Sequence, residues 1–124
     1  MNQISTSNAP AAIGPYCQAM THNGMVFTSG QIPLDPVTGT IVGTTIEEQA
    51  HRVCQNLAAV LSAAGSDLTK VLKTTCFLAN MDDFAAFNGV YAQYFTAKPA
   101  RSCVAVKTLP KNVLVEVECI GVIE

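Results

Sequence analysis

VLVEVECIGVI, residues 113–123, decides the fold. Its side chains alternate so as to give one strand two different faces. Val113, Val115, Val117 and Cys119 share a face suited to packing under helices. Glu116 and Glu118 share the other with Leu114, Ile120 and Val122. A freely solvated face does not ordinarily carry three large aliphatics, and a monomer's core does not carry two carboxylates. A subunit interface containing a polar pocket accommodates both. The strand therefore predicts a sheet with helices on one side and further copies of the chain on the other.

Working outward, "SCVAVKTL" (102–109) reads as the preceding strand, joined through a "PKN" turn. "VLKTTCFLA" (71–79) reads as a largely buried strand. Between these two, Phe84, Phe87, Tyr91 and Tyr94 recur every three or four residues, the core stripe of a helix in a region closed by Pro99. Upstream, Ile46, Ala50, Val53, Leu57, Leu61 and Ala64 keep helical spacing. Thr45 and Glu48 form a capping box before them and Gly65 a stop after them. "GMVFTSGQIPL" reads as a strand that breaks near Gly30, and "DPVTGT" from Asp35 as a turn. The order β, β, helix, β, helix, β, β predicts an α+β layer with both helices on one face of a mixed sheet. No linker or repeat interrupts it, so residues 1–124 read as a single domain.

Composition narrows the function. Hydrophobic residues make up 49% and charged residues 13%, more apolar surface than so small a domain buries alone, which again predicts an oligomer. The net charge is −2 and the five lysines are scattered, which argues against a nucleic-acid groove but permits a single small anion. Cys17, Cys54, Cys76, Cys103 and Cys119 lack CxxC spacing and sit in apolar contexts, as reduced residues do. The N-terminal "MNQISTSNAPAAIGPY" lacks a basic region and a long apolar run and so is not expected to be a signal peptide, and no apolar run matches a membrane span. A cytoplasmic location is expected.

Candidate chemistry centres on few side chains. Arg101, one of only two arginines, opens an apolar segment, and its planar guanidinium suits a carboxylate. An ordinary structural ion pair is the competing reading. Glu116 and Glu118 suit a general base and its neighbour, since desolvation raises a carboxylate's pKa, or else edge charges that discourage aggregation. Tyr16 follows Gly14-Pro15 and either projects into a cleft or packs half-buried. At Ser29-Gly30 no G-x-S-x-G elbow is present; Gly30 permits close approach of a ligand and Ser29 offers a hydrogen bond. His51-x-x-Cys54 lacks the further ligands a metal needs, and neither His22 nor His51 has a nucleophile partner. No phosphate-binding glycine motif occurs.

"NAPAAIGPYCQA", "TSGQIPLDPVTG", "KTTCFLANMDDFAAFNGVYAQYF" and "PARSCVAVKTLPKNVLVEVECIGV" together resemble the Rid family of reactive-intermediate (enamine/imine) deaminases, also known as the endoribonuclease L-PSP family. The resemblance runs over essentially the whole chain. It implies a chorismate-mutase-like fold, a homotrimer with clefts between subunits, and hydrolysis of 2-imino acids such as 2-iminobutanoate and 2-iminopropanoate to 2-keto acids and ammonia, protecting PLP enzymes. It implies neither metal nor organic cofactor. Position by position, Arg101 matches the arginine that grips the substrate carboxylate and Glu116 the residue that activates or positions water. Glu118 matches a second acid without a settled role. Tyr16, Ser29, Gly30 and Asn88 match positions lining the cleft, as does Cys103, through its backbone rather than its thiol. The connection "FTAKPARS" is about four residues shorter than in members with a longer loop, which bears on side-chain preference. Other activities described in the family are cleavage of single-stranded RNA, holdase chaperone action, and 2-keto acid sensing without turnover.

Overall fold

The computed structural model describes residues 1–124. Six strands form one mixed sheet: β1 (Asn2–Ile4), β2 (Ala19–His22), β3 (Met25–Thr28), β4 (Val71–Leu78), β5 (Ala100–Ala105) and β6 (Val115–Val122), in the order β1-β2-β3-β6-β4-β5. All neighbours are antiparallel except β4 and β5, which run parallel because α2 (Phe84–Tyr94) crosses between them. Helix α1 (Ile46–Ala63) packs beside α2 on the same face, giving the expected two-layer α+β arrangement.

Helix α1 begins where its chemistry says it should. Thr45 Oγ1 accepts from the Glu48 N–H at 3.2 Å, and Glu48 Oε1 accepts from the Thr45 N–H at 3.2 Å. The helix stops at Ala64, with Gly65 at φ +85° in the left-handed region. Thr45→Ala is expected to cost about 1 kcal/mol, seen as a fall of roughly 3–5 °C in Tm.

The predicted alternation of β6 is present. Val115, Val117 and Cys119 are buried under the helices with Leu57, Leu61, Phe87 and Phe95, while Glu116, Glu118, Ile120 and Val122 are half-exposed on the far side. Three boundaries differ from the sequence reading. Strand β5 ends at Ala105 rather than Leu109, because its partner β4 ends in register at Leu78. The PKN segment is a tight turn, with Lys111 and Asn112 at positive φ, and it delays β6 to Val115. Three strands rather than two precede α1: β1 is short and polar and is specified only by pairing with β2. No helix is long and apolar enough to cross a membrane.

Candidate active site

Register fixes which side of the sheet each candidate occupies. Thr74 pairs with both Arg101 and Cys119, and Cys76 with both Cys103 and Val117, so Arg101 and Cys103 lie on the helix-covered face. Phe77 pairs with both Glu116 and Val104, placing Glu116 on the opposite, uncovered face. Within one chain the arginine and the glutamate are therefore separated by the sheet.

On the helical side, Arg101 is clamped. Its Nη1 donates to Asn88 Oδ1 at 2.7 Å, and its Cζ lies 4.8 Å from the Tyr91 ring centre and 5.4 Å from that of Phe84. Tyr91 is itself fixed by a 2.7 Å hydrogen bond between its hydroxyl and that of buried Thr74. The guanidinium borders an open cleft of about 340 Å³, walled also by Asn88, Tyr91, Phe95, Thr96 and Lys98. With one N–H arm held by Asn88, the others remain for an anion in a fixed plane. Cys103 is partly exposed on the same face. Burial raises its thiol pKa, Arg101 opposing, and burial pushes neighbouring Cys76 up to about 12. Both shifts disfavour the thiolate and argue against the thiol as a nucleophile.

On the uncovered side, the Glu116 carboxylate fills the space a Cβ at Gly30 would take, its Cδ only 2.8 Å from that position. Any side chain at position 30 would displace the Glu116 carboxylate from this place; glycine leaves it room. Burial raises the Glu116 pKa, and the Glu118 charge raises it further. Gly30 and Tyr16 also wall a second cleft, of about 540 Å³, together with Gln18, Gln31, Leu34 and Val37. Tyr16 is 55% exposed, as a residue projecting from a turn would be. Ser29 Oγ donates to the Cys17 carbonyl at 2.6 Å, so its hydroxyl holds the segment that carries Tyr16. His51, set aside as a metal ligand, hydrogen-bonds through Nδ1 with the Tyr94 hydroxyl at 2.9 Å and so ties α1 to α2.

The sequence reading missed three buried carboxamides that shape this second cleft and its surroundings. Gln18 Nε2 donates to the carbonyls of Thr6, Ala9 and Pro10, and its Oε1 accepts from the Thr6 N–H. Gln49 bridges Gly43 and Leu114. Asn56, fully buried, donates to Ile32 O at 3.2 Å and Leu34 O at 3.0 Å and accepts from Arg52 Nε. For Gln49 and Asn56 the available signal was a polar residue beside the apolar positions of the α1 period; Gln18, outside any helix, carried none. Asn56→Ala leaves the Leu34 carbonyl unpaired, takes the Arg52 Nε–H partner away and opens a void, while Ile32 O keeps the Leu34 N–H; it is expected to cost about 2–3 kcal/mol in chemical denaturation.

The family model described as Endoribonuclease L-PSP matches residues 6–123, and the chain belongs to that family, the Rid proteins. It is 54% identical to a RutC family protein of Synechocystis, over 99% of this chain and 97% of that one. It is 47% identical to a Salmonella typhimurium protein named 2-iminobutanoate/2-iminopropanoate deaminase, over 96% and 95%. Among solved structures, Escherichia coli TdcF with bound serine superposes with a TM-score of 0.94 at 44% identity, covering 98% of both chains.

Proposed function

We propose that this chain hydrolyses reactive 2-imino acids to 2-keto acids and ammonia, as a homotrimer in which each site is completed by two copies. The observation that carries the reading is the clamped Arg101, an anion receptor oriented before any ligand arrives. The deaminase name of the Salmonella relative supports the reaction, and the serine bound to TdcF supports an amino-acid-like ligand.

Two half-sites on opposite faces of one sheet suit association. The Arg101 cleft of one copy meets the Glu116, Gly30 and Tyr16 surface of the next, and the half-exposed Ile120, Val122 and Phe27 are covered. Arg101 holds the substrate carboxylate. Water adds to the imine carbon while Glu116 takes its proton and returns it to the imine nitrogen; the resulting carbinolamine passes its hydroxyl proton to the amine, expels ammonia and leaves the keto acid. An imine carbon is already electrophilic, so positioning and modest base assistance are all the protein supplies. The family description names a ribonuclease, but a net charge of −2 with dispersed lysines provides no track for a phosphate backbone.

The test couples a PLP-dependent threonine dehydratase to this protein, with semicarbazide trapping surviving 2-iminobutanoate. Suppression of the trapped adduct is expected. An unchanged adduct yield, with keto acid binding intact, shifts the reading to a sensor.

A further inference from the structure

The Arg101 cleft carries a second cation that a monocarboxylate does not use. Lys98 lines it, three residues before Arg101 and separated from it by Pro99, whose ring fixes the local backbone. The connection closes as a tight turn in which the Lys98 N–H donates to Phe95 O at 3.1 Å and Lys98 adopts φ +54°. The chain's one ion pair joins Lys70 and Asp67, so within one chain the Lys98 ammonium is unpaired and no acidic side chain lines the cleft; the Glu116 carboxylate that the proposed neighbour brings is assigned to the water. Three residues span at most about 10 Å, a distance that a lysine stem and a four- or five-carbon dianion together bridge.

We propose that this cleft selects 2-imino acids bearing a second carboxylate on the side chain, the imines of aspartate and glutamate type. Arg101 takes the α-carboxylate and Lys98 the distal one. The inference rests on the imine-hydrolase reading for turnover but on the cleft alone for binding.

The experiment measures calorimetric affinities of 2-oxoglutarate and 2-oxobutanoate, one dianionic and one monoanionic keto acid product, at low ionic strength. An exposed ion pair gives up to about a fivefold preference for 2-oxoglutarate, shrinking as salt is added. Lys98→Asn, chosen because asparagine tolerates the left-handed backbone, brings the ratio to near one, whereas Lys98→Arg retains it. Arg101→Ala weakens both ligands together. Equal affinities in the wild type, or a preference that survives Lys98→Asn, overturn the selectivity while leaving the Arg101 site standing. No binding of either keto acid overturns both.

Discussion

Arg101→Ala is expected to lower kcat/KM for 2-iminobutanoate by about 10²-fold or more. Two charge-assisted hydrogen bonds to a carboxylate are worth roughly 1.5–3 kcal/mol each, so losing both gives 10² to 10⁴. The clamp raises the stakes, because Asn88, Tyr91 and Phe84 have already ordered the side chain. Arg101→Lys restores the charge but neither the fork nor the stacked plane, and recovers only part of the rate. The fold is expected to survive either change, since Arg101 is half-buried at a sheet edge and what the alanine variant loses is the hydrogen bond to Asn88 and two cation–π contacts of about 0.5–1 kcal/mol each. Steady-state kinetics beside a thermal melt separates the two effects. An unaltered rate in a folded variant removes Arg101 as the anchor.

Glu116→Gln slows turnover by about 10²-fold and flattens its acid limb. A positioned base contributes about 10²–10⁴, and an activated imine needs the lower end. In the wild type the rate is expected to rise with pH as Glu116 loses its proton, with an inflection above the ordinary value of 4.5 because burial, then Glu118, opposes ionisation. Stability moves the other way. The folded carboxyl keeps its proton to higher pH than the unfolded one, so the folded state binds more protons across that window. Wild-type stability therefore falls as pH rises from 4.5 through the raised value, and stays lower above it. Glu116→Gln is more stable than wild type at pH 7 and equal to it below about 4.5. Denaturation at both pH values checks the sign, and an acid limb that persists in the glutamine variant excludes Glu116 as the base.

Local chemistry made much of this molecule readable. Thr45, Glu48 and Gly65 marked both ends of α1, and the alternation of Val115–Val122 divided β6 into a helix face and an open one. Arg101 and Glu116 stood out as charges in apolar surroundings. Their separation across the sheet did not, because it depends on the parity of pairing through β4, which neither strand encodes alone. Strand β1 escaped for the same reason, since its residues have no apolar period and acquire a partner only in β2. Gln18, Gln49 and Asn56 resemble surface residues in the sequence. Only the loops folded over them reveal what they hold.

Those three amides grip main-chain atoms and are indifferent to the side chains the loops carry. The outline of the larger cleft is thus held from α1 and from Gln18, just ahead of β2, while the loop side chains that line it are left free of that task. Segments such as Asp35–Thr40, closed by their own turn hydrogen bonds, are exchangeable parts on a permanent mount. A fold arranged this way lets relatives diverge in what they accept without renegotiating how they fold.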